Sequence, residues 1–415
     1  MSTDAAAACP LTALLRRFAC LTGERRPIRS HTHLSETWSA HVNILVSGAG
    51  IAGLASALEL GTRGHDVTVV EYARHLRLTG TPIDIRGDAI ETADRMGLLA
   101  KIQKQRVRMS ELTQFVDSEG EPVALIPMAE ISDSDDDIEL LREDLVRILA
   151  DALPDTAAIR FRDSIETLTD GDGDGGGVDV RFASGRTGRY DLVIGADGQH
   201  SAVRRLVFGP EEDYLRHLGV YFALADHPGE AQSEGANSIY NVPSRMAGIF
   251  RYQGKAVAVF QFRSERIDYD HHDLDAQKKI LMDAFAGYRS WRIPELLDAA
   301  RADPGFYFTS ASQIHLPSWH RGRVALVGDA GYSPAFLSGR GTSLALTGAR
   351  FLAEELERCG NDHTAAFARY EARQRPYVTF AQDRVYSGRD RMLPTTWAAI
   401  SARNKALQAP GTGAP

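Results

Sequence analysis

The stretch "ILVSGAGIAGLASALEL", Ile44–Leu60, decides the fold. It opens as an unbroken apolar run, the pattern of a central parallel strand buried on both faces. It breaks at Gly48-x-Gly50-x-x-Gly53 and resumes at helical spacing up to Gly64. "DVTVVE" follows as a second strand and ends in an acid, Glu71. Three glycines between a strand and a helix, with an acid about 20 residues on, form a dinucleotide-binding fingerprint. Gly48 permits the tight turn, Gly50 lets backbone approach a pyrophosphate, and Gly53 lets helix and strand pack closely. Ile51 and Ala52 open the helix, whose N–H groups and positive end suit phosphates. Glu71 suits ribose hydroxyls and disfavours a 2′-phosphate, with Tyr72 and Arg74 beside it. This motif alone does not separate FAD from NAD.

Two more glycine turns lie downstream. "DLVIGADGQHSAVR" carries Asp197-Gly198, with Ser201 and Arg204 after them. "VALVGDAGYSPAFLSGRGTSLAL", Val324–Leu346, carries Gly328-Asp329 and then Gly339 and Gly341. With these three motifs in this order, the chain resembles the class A flavoprotein monooxygenases, the para-hydroxybenzoate hydroxylase family. The resemblance covers roughly residues 42–375. Within that family the chain looks most like the tetracycline-inactivating and polyketide-tailoring aromatic hydroxylases. "GTPIDIRGDAIETADRMGLL" is similar to their segment that passes near the flavin, which implies contacts from Asp84 and Ile85. Arg142 in "LLREDLVRIL" matches an arginine that contacts FAD.

The resemblance implies FAD as resident cofactor and NADPH or NADH as a transient reductant without its own Rossmann domain. Asp329 would take ribityl hydroxyls. Gly339, Gly341 and Thr342 would present backbone to the flavin's pyrimidine edge, with Gly328 and Pro334 shaping the turn. Oxygen from O2 would pass through a flavin C4a-hydroperoxide into an aromatic or polyketide-like small molecule. Hydroxylation is favoured, with Baeyer–Villiger insertion the alternative, in biosynthesis or antibiotic inactivation. "GDAGY" departs from the family's usual "GDAAH", and Arg340 stands where small or apolar residues are common.

The expected fold class is α/β: a Rossmann-like FAD-binding domain, an inserted β-sheet-rich substrate domain and a C-terminal helical segment. The FAD-binding parts are 41–108, 138–213 and 313–375. The substrate domain takes a hairpin at 109–137 and the β-rich run at 214–312. Residues 376–415 read as C-terminal helix and tail, and "IELLREDLVRILADAL" (138–153) as one amphipathic helix. Residues 1–40 read as a disordered leader, with a partner-binding helix in "LTALLRRFACL" as the alternative. The insert's Phe222, Tyr240, Phe250, Phe260 and Phe262 are substrate-pocket candidates, as are Phe336 and Arg340. Strand alternation sends some of these into an ordinary core instead.

Bulk composition narrows the function class. The chain has 415 residues and a net charge of −8. No basic block favours nucleic acid. No apolar run approaches the ~20 residues of a membrane span. Three cysteines, Cys9, Cys20 and Cys359, offer no disulfide framework, which suits a reducing cytoplasm, and a monomer or homodimer is expected. "DGDGDG" (170–175) starts like a calcium loop, but Arg181 stands where the bidentate Glu belongs. His31-x-His33 and His271-His272 lack metal-ligand spacing, so no metal is expected. "SWRIPEL" lacks the first tryptophan of flavin halogenases, leaving Trp291 as packing. A halogenase, a reductase and a flavin-binding non-enzyme partner remain the competing readings.

Overall fold

The computed structural model describes residues 41–77, 82–107, 112–127, 134–170, 176–230, 235–360 and 362–408. The leader, most of the "DGDGDG" run, Gly80 and the start of the 109–137 hairpin lie outside the described residues.

The first third carries β1 (Asn43–Ser47), α1 (Ile51–Thr62), β2 (Asp66–Glu71), β3 (Pro82–Ile85), α2 (Asp88–Arg95), α3 (Leu99–Lys104), β4 (Thr113–Val116) and β5 (Pro122–Ile126). The middle carries β6 (Ile138–Leu141), α4 (Arg142–Ala150), β7 (Ala157–Phe161), β8 (Ile165–Asp170), β9 (Val178–Phe182), β10 (Thr187–Tyr190), β11 (Leu192–Gly195) and α5 (Ala202–Val207). Then follow β12 (Leu215–Asp226), β13 (Asn237–Val242), β14 (Arg245–Tyr252), β15 (Lys255–Arg263), α6 (Leu274–Ala284), α7 (Ile293–Ala302) and β16 (Tyr307–Ile314). The chain closes with β17 (His320–Arg321), β18 (Val324–Leu326), α8 (Asp329–Tyr332), α9 (Gly341–Cys359), α10 (His363–Asp383), α11 (Val385–Met392) and α12 (Trp397–Gln408).

A six-stranded sheet in the order β17-β18-β11-β1-β2-β7 holds the glycine turns. β1 lies at its centre, parallel to both β2 and β11. That is why "ILVS" needs apolar residues on both faces: Ile44, Leu45 and Val46 are all fully buried. A seven-stranded sheet, β16-β12-β15-β14-β13-β4-β5, forms the second layer. The β4–β5 hairpin thus joins a sheet built mainly from strands far downstream.

Alternation sorts this second sheet into two cores. Tyr221, Ala223, Tyr240, Phe260 and Phe262 pack against Leu281, Phe285, Ile293 and Leu296 of α6, α7 and the loop after α6. Val220, Leu224, Ile239, Met246 and Val259 face the opposite way, with Phe222, Phe250, Ala335 and Phe336. That inner side meets the nucleotide-binding layer.

Three expectations change. The helix read over 138–153 is a strand up to Leu141, because β6 pairs with β3, setting Glu139 opposite Asp84. The apolar spacing of "IELL" serves a strand as well as a helix, and the pairing decides. The boundary at 376 falls inside α10, which carries Pro376 within it. Helix α7 escaped the sequence reading, although Pro294 at its start and apolar residues at 293, 296 and 300 signalled it. No helix among the described residues is long and apolar enough to cross a membrane.

Phe260 is fully buried against Phe285, with ring centroids 5.4 Å apart. Phe260→Ala should therefore cost about 3–5 kcal/mol in chemical denaturation.

Candidate active site at the glycine turns

The three glycines of the first turn are glycine for different reasons. Gly48 has φ +100°, and a Cβ there would lie 2.6 Å from the Ala196 carbonyl oxygen. A Cβ on Gly53 would lie 1.8 Å from the Gly48 oxygen. Both positions are closed by the protein itself. Gly50 is extended, and a Cβ there would find no protein atom nearer than Arg142 Nη2 at 4.0 Å. Its missing side chain leaves room for something other than the chain. Helix α1 starts there without a side-chain cap, so the N–H groups of Ile51 and Ala52 lack intrahelical acceptors. Glu71 accepts from Ala49 N at 2.8 Å and Ala73 N at 3.0 Å, tying the end of β2 to the turn. Tyr72 and Arg74 are exposed beyond it, and Arg77 Nη2 donates to the Tyr72 hydroxyl at 3.1 Å.

The second turn closes onto the first. Gly328 has φ +66°, and a Cβ there would sit 2.7 Å from the Ala52 Cβ. Asp329 opens to solvent between buried Gly328 and Ala330. Burial nonetheless pushes its carboxyl up from the ordinary range. Asp329 is thus open to solvent in the cleft between the two turns, where its surroundings disfavour its charge. Gly341, at the start of α9, lies within 4.0 Å of Asp329 Oδ1 when given a Cβ. Gly339 has φ +63° beside the Arg86 guanidinium, and Arg86 N donates to Ser343 Oγ at 2.9 Å. Thr342 is half-buried in the first turn of α9. Pro334 is buried and accepts from Gln313 Nε2 at 3.3 Å. The Gly331-Tyr332 departure is a packing solution: Tyr332 is buried, bonds Tyr370 at 3.0 Å, and fits because position 348 is glycine.

Arg142 leads α4 toward the first turn and donates to the Arg77 carbonyl at 3.1 Å. Burial lowers its pKa most, while Asp329 and Glu71 act to raise it. Its cation therefore senses acids of both turns. Asp197 spends its carboxylate on α5, accepting from Ser201 Oγ, from Ala202 N at 2.8 Å and from Val203 N at 3.1 Å. It shapes the loop through Gly198 (φ +82°). Arg204, wholly buried, ties this loop to the second turn by donating to the Gln199 and Ala330 carbonyls at 2.6 and 2.9 Å.

Several sequence candidates sit elsewhere. Tyr240, Phe260 and Phe262 lie on the outer face of the seven-stranded sheet, against α6 and α7, because side chains alternate along each strand. Tyr240 meets Trp291 there at 5.9 Å. Ile85 is fully buried in the core of the first layer. Arg340 sets its guanidinium over Phe380 of α10, 4.8 Å from the ring centroid. Phe222 and Phe250 stay on the inner face, and Phe222 touches Phe336 at 5.1 Å.

The cleft wall also holds residues the sequence reading passed over. Asp84 bonds Arg86 at 2.9 Å, and Glu139 stands opposite Asp84. Burial, reinforced by Asp84, raises the Glu139 pKa to about 8 against the counter-effect of Arg86 and Arg106. Only tertiary pairing brings these acids together, so no local pattern announced them. Tyr307, the first residue of β16, is the other omission. Its ring lies 6.2 Å from Phe222.

Two predictions follow from this geometry. Gly50→Val should fold but copurify without flavin, whereas Gly53→Ala should lose stability outright; the flavin absorbance band and far-UV circular dichroism read the two apart. The folded chain keeps Glu139 protonated up to about pH 8, whereas the unfolded carboxyl ionises near 4.5. Its contribution to stability therefore falls as pH rises between those values and is flat above them. Glu139→Gln should remove that fall, raising Tm more at pH 8 than at pH 5.

The residues fit FAD. Gly50 leaves a cradle that a Cβ would fill, and two helix starts, a cation and an acid converge on one cleft. The family pattern described as FAD binding domain matches residues 41–385. The chain is 42% identical over 341 residues to an uncharacterized protein of Mycobacterium tuberculosis, covering 81% of this chain and 90% of that one. It is 36% identical over 348 residues to a flavin-dependent monooxygenase of Legionella longbeachae, covering 82% and 87%. Its fold matches the crystal structure of tetracycline destructase Tet(51) with a TM-score of 0.77 and 34% identity, over 88% of this chain and 95% of that one. With fold, turns and relatives in agreement, the chain belongs to the FAD-binding-domain family of flavin-dependent, class A-like monooxygenases.

Proposed function

We propose that this monooxygenase uses NADPH or NADH as a transient reductant and inserts one atom of O2 into an oxygenated aromatic or polyketide-like molecule. One observation carries the substrate reading. The inner face of the seven-stranded sheet is apolar and reaches the second glycine turn through the Phe222–Phe336 contact at 5.1 Å. A flat, largely apolar substrate held there would lie beside the loop from Gly339 to Thr342.

Bound FAD would supply hydride acceptance and oxygen activation. The chain's own residues would do the rest. Gly50, Ile51, Ala52 and Arg142 would hold the phosphates, and Glu71 would take the adenosine ribose. Asp329 would take the ribityl hydroxyls, while Gly339, Gly341 and Thr342 would offer backbone to the ring edge. Helix α9 directs its positive end toward that edge, which suits an anionic reduced ring. The inner sheet face excludes water from the reacting carbon. The polar wall of Asp84, Arg86 and Glu139 would orient oxygen substituents. The similarity to a protein named a tetracycline destructase supports a tetracyclic polyketide as a first substrate to try. Trp291 packs on Tyr240, on the face turned away from the cleft, which gives the halogenase reading no support.

A screen of tetracyclines, phenols and purines settles the matter. A true substrate should stimulate NADPH oxidation and O2 uptake together, and give a product heavier by one oxygen. NADPH oxidation that no compound stimulates, yielding only hydrogen peroxide, would falsify the monooxygenase assignment for these substrate classes.

A further inference from the structure

Tyr307 occupies an unusual position for a strand residue of the substrate domain. It starts β16 at the edge of the seven-stranded sheet, just after a turn in which Asp303 accepts from Gly305 N at 2.7 Å and Asp226 N at 2.8 Å. That turn fixes where the strand begins. Alternation then sets Tyr307, Thr309 and Ala311 on the inner face and sends Phe308 into the outer core.

The ring is 38% exposed, yet burial still raises its phenol pKa. The side chain is thus partly open at the sheet edge while its surroundings disfavour a charge. The charges acting on its hydroxyl are those of Arg142, Asp329 and Arg77, and Thr309 lies in hydrogen-bond reach. Arg142 belongs to the first turn's surroundings and Asp329 to the second. The Tyr307 hydroxyl thus senses both the cation and the acid assigned to the two halves of one cofactor. Its ring meets Phe222 edge-on at 6.2 Å, and Phe222 packs on Phe336 in the flavin loop. A large aromatic ring left partly open to a cleft costs exposed apolar surface, which a ligand in the cleft would cover.

We propose that Tyr307 is the substrate domain's contribution to the cofactor clamp. Its ring covers the cleft between Arg142 and Asp329, and its hydroxyl donates to the pyrophosphate–ribityl section of bound FAD. Both sheets then grip one molecule, and cofactor loading draws β16 onto the nucleotide-binding layer. Tyr307 acts as a positioning residue: it holds the cofactor and takes no part in oxygen transfer.

The inference rests on Arg142 and Asp329 being the FAD-facing pair, so the test separates the two claims. FAD dissociation constants are measured by flavin fluorescence on reconstituted wild type, Tyr307→Phe, Tyr307→Ala and Asp329→Ala. Loss of a hydrogen bond to a charged group should weaken FAD binding about tenfold in Tyr307→Ala. Tyr307→Phe, which keeps the ring, should fall between Tyr307→Ala and wild type. Apoprotein melting should stay unchanged in both. Amide exchange across β16 should slow on FAD addition in wild type and not in Tyr307→Ala. If both Tyr307 variants bind FAD within about twofold of wild type while Asp329→Ala fails to, the Tyr307 assignment is overturned and the site stands. If Asp329→Ala also binds normally, the site itself is wrong.

Discussion

The close approach of α1 to the ends of β1 and β11 governs the cofactor half of the molecule. A single methyl group on Gly53 would collide with the Gly48 carbonyl at 1.8 Å, and one on Gly48 with the Ala196 carbonyl at 2.6 Å. Only with both absent does the helix begin flush against the sheet. Its unsatisfied N–H groups then face the cleft rather than solvent. The second turn depends on the same approach, since Gly328 stacks on Ala52 of that helix. Asp329 and the start of α9 therefore inherit their position from the first turn.

The substrate domain adds a different constraint. Its seven-stranded sheet must cover two cores at once, and strand alternation gives each face its own set of side chains. The outer face is closed by α6 and α7 and makes an ordinary interior. The inner face is completed by residues of the flavin loop, Ala335 and Phe336, and by Val385 and Leu393 from the C-terminal region. Substrate cleft and second core are thus continuous. A polar wall from the β3–β6 ribbon interrupts this apolar lining. Three acids, Asp84, Asp137 and Glu139, stand there among Arg86 and Arg106, and burial, reinforced by Asp84, raises the Glu139 pKa against the pull of the two arginines.

Much of the cofactor-binding architecture was legible in the chain because its determinants are local. A glycine that must avoid a clash within a few residues, a strand buried on both faces and a helix following a turn leave their mark within a short window. Gly328, Gly339 and Gly341 were legible as a strand-to-helix turn, although the close approach at Gly328 is to Ala52, far away in sequence. The long-range parts left no such mark. "IELL" has apolar residues where either a helix or a strand would put them. Phe260 and Phe222 look alike as letters, yet they lie on opposite faces of one sheet. Arg340 was marked as an unusual residue, but only the position of α10 shows that its partner is Phe380.

The sequence by itself determined the order of the three glycine turns and the burial of β1, which are written in short stretches of residues, while FAD followed from the family resemblance that those turns carry. The tertiary structure alone decided which aromatics face the flavin loop, which acids come together on the β3–β6 ribbon and that Tyr307 meets Phe222 at the edge of the second sheet. Those outcomes depend on pairings between distant strands, and a one-residue change in register would turn every side chain to the other face.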